Sequence, residues 1–221
     1  MQLTNAQEKL VKSLQTKKGR RESGLCLIEG QKVLDSVGDY IEFTFNRDEV
    51  KNFDKLVTTE TPQEIAGVAK IPQWSLEEIQ SKKTIVVLDG VQDPGNVGTI
   101  LRLCLGFDAS LILIQSADPT SPKVVRSSVG ALFSVQWMEI DRDNAIDFIS
   151  GLKRNIYRLE KRQDAKGLKV TEFDDKIILV AGSEGSGIAL GLDGQSMFIE
   201  HNSKLESLNV ASALAIALYN R

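Results

Sequence analysis

Three six-residue runs, TIVVLD at 84–89, SLILIQ at 110–115 and KIILVA at 176–181, restrict the fold of this chain more than any other feature. Each is almost wholly apolar, dense in β-branched or leucine side chains, and short for a helix. A strand that is apolar on both faces must be covered on both, which parallel sheets achieve with crossover helices. SVQWM at 134–138 and MFIE at 197–200 read as further strands, and helices are expected near 97–106, 122–131, 143–153 and 207–219. Strand alternating with helix gives an α/β fold with a parallel sheet.

A smaller α/β pattern precedes it. LCLI at 25–28, IEFTF at 41–45 and LVTT at 56–59 read as strands, with helices over QKVLDSV at 31–37 and TPQEIAGVA at 61–69. Thr61 is the expected N-cap of the second helix, with Pro62 at its first position. Polar IPQWSLEEIQSKK at 71–83 separates the two patterns. A boundary near 80 follows, giving domains over 1–80 and 81–221.

Composition excludes several classes. No apolar run reaches the ~18 to 20 residues needed to span a bilayer, and the start MQLTNAQEKLVKS has no apolar signal stretch, so a cytoplasmic protein is expected. Cys26 and Cys104 sit in apolar surroundings, LCLI and LRLCLG, as buried thiols of a reducing compartment do. One histidine, His201, and two isolated cysteines leave no metal-ligand spacing. The net charge of -3 and pI near 5.4 weigh mildly against nucleic acid. Local charge is different: Lys9, Lys12, Lys17, Lys18, Arg20 and Arg21 face only Glu8 and Glu22, so this segment is either an electrostatic footprint or a solvated helix face. Trp74 and Trp137 read as core or boundary residues.

In open α/β sheets, ligands bind beyond the carboxyl ends of strands. Three loops follow strands in that way: GVQDPGNVG at 90–98, GSEGSG at 182–187 and HNSKLESLN at 201–209. In the first, Asn96 is placed to cap the next helix, and Arg102 lies in so apolar a stretch that a pocket or an anionic partner suits it better than solvent. GSEGSG lacks the glycine order of a dinucleotide fingerprint and has no Lys-Ser/Thr of a phosphate loop. Alone it is also a tight turn, with Glu184 solvated or capping. Ser207 is the expected N-cap of the last, apolar helix, and Asn209 carries an amide there that needs partners.

Taken together, DPGNVGTILR, LVAGSEGSGI and SLNVASALAIALY resemble the three motifs of the SpoU-like (TrmH) branch of the SPOUT RNA methyltransferases. PKVVRSSVG at 122–130 is similar to a family segment between the first two motifs, and RRESGLCLIEGQKVLDSV at 20–37 to the L30e-like RNA-binding domain many members carry. The resemblance implies a carboxy-terminal trefoil knot, S-adenosylmethionine as cofactor, and a homodimer. Carried over by position, Gly182, Gly185, Ile199 and Leu208 line the cofactor site, and Asn96, Arg102, Glu184, Ser207 and Asn209 form the catalytic set. A guanidinium pKa above about 12 makes Arg102 a better positioning and charge-stabilising group than a base. The proton acceptor stays open among phosphate, water and a transiently neutral arginine.

The sequence departs from the family in three places. Glu200 and His201 follow Ile199 where Ile-Pro-Met is usual, NVASA replaces NVSVA, and NIYRLEKRQDAKG at 155–167 is more basic than its counterparts. The expected function is methylation of a ribose 2′-hydroxyl in RNA, ribosomal ahead of transfer RNA, with residues 1–80 gripping the substrate. The rival is a non-catalytic RNA-binding or ribosome-assembly protein that kept the fold, motivated by Glu200 and His201. An oxidoreductase on a doubly wound sheet lacks the fingerprint glycines.

Overall fold

A computed structural model of the chain describes residues 2–59 and 61–221. In chain order the first elements are α1 (Asn5–Ser13), α2 (Lys17–Ser23), β1 (Leu25–Glu29), α3 (Gln31–Val37), β2 (Ile41–Asn46), α4 (Phe53–Leu56) and β3 (Ile65–Lys70). There follow α5 (Leu76–Ser81), β4 (Thr84–Asp89), α6 (Pro94–Gly106), β5 (Ala109–Ile114), α7 (Pro122–Ser128), β6 (Trp137–Ile140) and α8 (Arg142–Gly151). The last are β7 (Asn155–Leu159), β8 (Lys166–Gly167), β9 (Ile177–Gly182), β10 (Gln195–Phe198) and α9 (Val210–Asn220). They fall into two compact units, one of residues up to Gln73 with Asp118–Ser134, the other of Trp74–Ala117 with Val135–Arg221.

The first unit holds an antiparallel sheet in the order β1-β3-β2. Its core gathers Leu14, Leu27, Phe45, Phe53, Leu56 and Val68. The helix expected over 61–69 is instead the central strand β3, and Thr61 caps nothing. IAGVA carries apolar residues at both helical and strand spacings, and pairing on both edges decided between them. A Cβ on Gly67 would lie 2.8 Å from Leu34 Cδ2 and 3.1 Å from the Phe43 carbonyl oxygen, so glycine lets α3 and β2 close on this strand. The strand expected over 56–59 is absent, since Leu56 ends α4 and the chain continues without pairing.

Arg20 leaves the basic footprint. Its side chain is 4% exposed, pairs with Asp118 at 2.5 Å, and donates to the Leu14 carbonyl and the Thr120 hydroxyl at 2.7 and 3.1 Å. The charge is internal. Arg20→Met is expected to remove about 3–5 kcal/mol, because Asp118 is then left buried and unpaired. Burial pushes the Asp118 carboxyl up, but the Arg20 hydrogen bond and charge and the Thr120 contacts outweigh it and hold it below the usual aspartate value. This stability is therefore present above the unfolded value and is lost as pH falls through the lower folded one. Denaturant unfolding of both proteins between neutral and acid pH checks it: the acid loss should be smaller in Arg20→Met.

Glu29, at the end of β1, is also buried. Its Oε1 accepts from the Thr58 amide and hydroxyl, both at 2.8 Å, and its Oε2 pairs with Arg126 of α7 at 2.6 Å. These pairs explain why 118–134 packs with this unit.

In the second unit all seven strands are parallel, in the order β6-β5-β4-β9-β7-β10-β8. The central β4, β5 and β9 are the three apolar runs, with Ile85, Val87, Ile112, Ile114, Ile178 and Val180 in one core cluster. Ile79 of α5 is wholly buried in the same cluster, so the chain joins this unit from Trp74 onward. Two strands start elsewhere than expected: β6 at Trp137, after a 3-10 turn over Ala131–Phe133, and β10 at Gln195. β7 was not read from the sequence at all. Its buried Arg158 breaks the apolar pattern, and the arginine is accommodated by donating to the Leu192 carbonyl at 2.7 Å and pairing with Glu160.

Among the described residues no helix is long and apolar enough to cross a membrane. Cys26 and Cys104 are fully buried, and burial pushes both thiols up to about 12. Neither is expected to react with iodoacetamide near pH 8 in the native protein, whereas both should react once unfolded. Mass analysis of the two samples reads the difference.

Candidate active site

β4 and β9 end side by side, with Asp89 opposite Gly182 in the ladder, and the loops beyond them meet the start of α9. Asp93 caps α6, its Oδ1 accepting from the Asn96 amide at 2.8 Å, with Pro94 at the first helical position. Asn96 was expected to take that role. Because Asp93 takes it, the Asn96 side chain is free for other partners.

The same exchange occurs at α9. Asn209, and not Ser207, is the N-cap, its Oδ1 accepting from Ala211 N and Ser212 N at 3.0 and 3.3 Å. The carbonyl side of the amide is fixed towards the helix, so Nδ2 points away from it. That nitrogen donates to Asn96 Oδ1 at 2.9 Å and Glu184 Oε1 at 3.0 Å, while Asn96 Nδ2 donates to the same Glu184 oxygen at 3.1 Å. The three side chains close a ring. Glu184 Oε2 meets no protein donor among the described residues, which leaves a carboxylate oxygen available to a ligand.

Glu184 lies in a turn that folds back on itself. Ser183 N donates to the Gly187 carbonyl at 3.1 Å and Gly187 N to the Ser183 carbonyl at 2.9 Å. At the base of that turn, a Cβ on Gly182 would lie 2.0 Å from the Gly187 carbonyl carbon and oxygen and 2.3 Å from Ile188 N. Only glycine fits there.

Two cavities flank the turn and share Ser183, Glu184, Ser186 and Val210. The larger, about 420 Å³, runs from Gly182 to Ile188 and along Leu159, Glu160, Lys161, Ser207, Leu208 and Ala213. An extension of about 210 Å³ continues past Met197, Ile199 and His201. The other, about 370 Å³, is bounded by Gly90–Asp93, Asn96 and Gly185. Glu160 Oε1 accepts from the Ser196 hydroxyl at 2.9 Å and pairs with Arg158 and Arg162, each at 2.9 Å. The wall of the larger cavity thus carries both signs of charge.

The structure therefore brings Asn96, Glu184 and Asn209 together, and puts Gly182, Leu208, Ser207 and Ile199 on the larger cavity and its extension. Gly185 lines the other cavity. Arg102 is not among the residues that line these cavities. It is exposed on α6, the solvated option the sequence reading disfavoured, and has no ion-pair partner among the described residues. Glu200 is exposed, and the ring of His201 lies 2.7 Å from the Ile199 carbonyl at the cavity edge, so neither fills the space. Sequence reading missed Asp89, Gln115 and Arg142, which support the turn from behind. An acidic residue ending the apolar run TIVVLD was the available signal.

A parallel α/β unit whose carboxyl-end loops, Gly-rich turn and final helix converge on one open carboxylate is a ligand-binding domain built for a small polar molecule. The chain belongs to the SpoU rRNA Methylase family, whose model matches residues 83–219. It is 27% identical to the 23S rRNA (guanosine(2553)-2′-O)-methyltransferase RlmP of Bacillus subtilis, over 95% of this chain and 93% of that one. Identity is 33% to the 23S rRNA (adenosine(1067)-2′-O)-methyltransferase of Streptomyces azureus, over 70% of this chain and 61% of the relative. Among solved structures, a TrmH-family protein from Porphyromonas gingivalis superposes with a TM-score of 0.85 at 28% identity, covering 100% of this chain and 98% of that one. An AdoMet-bound rRNA methyltransferase from Sinorhizobium meliloti shares the fold at 24% identity, with a TM-score of 0.84 over 100% of this chain and 95% of its own.

Proposed function

We propose that this chain is an S-adenosylmethionine-dependent methyltransferase acting on a ribose 2′-hydroxyl of RNA, ribosomal RNA before transfer RNA, in the cytoplasm. The closed ring of Asn96, Glu184 and Asn209 between two cavities carries this reading. The larger cavity suits the cofactor. Gly182 lets the Ser183–Gly187 turn close against β9 and so form one wall, Leu208 and Leu159 give it apolar wall, and Glu160 with Lys161 offers the two charges that an amino-acid zwitterion requires.

Bound there, the cofactor supplies an electrophilic methyl on a sulfonium. The chain must hold the hydroxyl in line with it, since proximity provides much of the rate. Glu184 Oε2 and the Ser207 hydroxyl are open polar groups on that cavity wall, and Asn96 and Asn209 fix the carboxylate in one orientation. Arg102 stabilises the oxyanion that develops at the 2′-oxygen and holds the adjoining phosphate.

In the same reading the first unit is an L30e-like RNA-binding domain, with Lys12, Lys17, Lys18 and Arg21 as its exposed cations. What supports a trefoil knot is that β10, last strand in sequence, lies between β7 and β8, and that α9 packs on α6 and β9 and hydrogen-bonds the Leu168 carbonyl through Asn220. A homodimer is supported by Leu105, Phe107, Ile216 and Tyr219, which leave apolar surface exposed on and beside α6 and α9. A non-catalytic role is disfavoured, since Glu200 and His201 leave the larger cavity open.

Methyl transfer from labelled S-adenosylmethionine to total RNA from cells lacking this protein, followed by nucleoside analysis, tests the proposal. A labelled 2′-O-methylnucleoside is expected, and fractionating the RNA identifies the substrate. Absence of both incorporation and cofactor binding would overturn it.

A further inference from the structure

The geometry points to Asp89 and Arg142 as a positioning pair that holds the Ser183–Gly187 turn in its cofactor-binding shape, an assignment that rests on the cofactor placement proposed above. Asp89 is 1% exposed, and a carboxylate at that depth is costly unless its lone pairs are taken up. Here they are. Oδ2 accepts from Ala189 N at 2.6 Å and Leu190 N at 2.8 Å, and Oδ1 pairs with the Arg142 guanidinium.

Those two amides belong to the residues that follow Ile188 out of the cavity wall. The turn is thus clamped at both ends. Gly182 is fixed by the β4–β9 ladder opposite Asp89 itself, and the chain just beyond Ile188 is fixed by the Asp89 carboxylate. One side chain sets the distance between the two ends, and that distance sets where Glu184 stands.

Arg142, the first residue of α8, fixes the carboxylate in turn. Its Nε donates to Gln115 Oε1 at 2.5 Å, and the Gln115 carbonyl accepts from the Gln92 side chain, which lines the second cavity. A continuous chain of polar contacts therefore runs from Gln92 through Gln115, Arg142 and Asp89 to the turn between the cavities. Neither Asp89 nor Arg142 is among the residues that line these cavities, so both act through the turn and not on a ligand there.

Calorimetric titration of S-adenosylmethionine into the full chain tests the pair. Arg142→Gln, which leaves the carboxylate without its counter-ion, is expected to weaken binding about ten- to a hundredfold, with part recovered in Arg142→Lys. KM for the cofactor should rise in proportion while kcat at saturation stays within about twofold. A pair that merely stabilised the fold would instead lower the active fraction and kcat with Kd and KM unmoved, and that result overturns the assignment. Leu208→Arg, which crowds the larger cavity away from Asp89, separates the two levels. Binding retained in Leu208→Arg overturns the cofactor placement and this inference with it. Binding lost in Leu208→Arg but unchanged in Arg142→Gln overturns the positioning pair alone.

Discussion

Replacing Arg102 by alanine is expected to lower methyl transfer by about 10²- to 10³-fold while leaving S-adenosylmethionine affinity unchanged. The expectation follows from where the guanidinium stands. It is exposed on α6, six residues beyond Asn96, and no acidic partner among the described residues occupies it. An arginine with no internal partner does little for the fold, so its removal should leave the unfolding midpoint near that of the parent. Permanent charge suits it to a phosphate or a developing oxyanion and makes it a poor proton acceptor. Transfer and binding measured on the same preparation decide the matter: unchanged transfer removes Arg102 from the mechanism, and lost binding reassigns it to the cofactor.

Gly182→Ala should have a comparable effect by displacing the turn that packs on it. The added Cβ would stand 2.0 Å from backbone atoms of Gly187 and 2.3 Å from Ile188 N, far inside contact distance. No side chain can yield there. The turn cannot slide away either, because the Asp89 carboxylate holds Ala189 and Leu190 and the β4–β9 ladder holds residue 182. Opening the Ser183–Gly187 bridge is the remaining response, and it dismantles one wall of the larger cavity. Cofactor affinity is expected to fall about 100-fold or more, with overpacking costing about 1–3 kcal/mol of stability. Gly185→Ala is the control, because a Cβ there has nothing within 4 Å. Calorimetry and thermal unfolding of both variants read the contrast, and equal effects at the two positions would refute the packing argument.

The central strands were legible because β4, β5 and β9 are buried on both faces and so are written as apolar runs. β3 and β7 were not. In β3 short apolar residues fit two periods, and in β7 a buried arginine imitates a surface segment, so only pairing with neighbours distinguishes strand from the alternatives.

The caps show the same division at the site. Asp93, Asn96, Ser207 and Asn209 are all residue types that cap helices, and local sequence cannot say which amide does so. The fold gives the capping to Asp93 and Asn209 and leaves Asn96 and the other half of Asn209 to meet Glu184, 88 and 25 residues away. The basic segment divides likewise, with Arg20 drawn inside by Asp118 and its neighbours left at the surface.

What the sequence determined by itself is the parallel α/β class, the three loops that bear the polar residues, and the motifs that carry the family. These are encoded in runs of residues adjacent along the chain. The tertiary structure alone decided which polar groups are spent on the fold and which remain open, because hydrogen bonds are allotted among residues brought together from distant segments, and a donor used for a cap or a buried carboxylate is no longer available to a ligand.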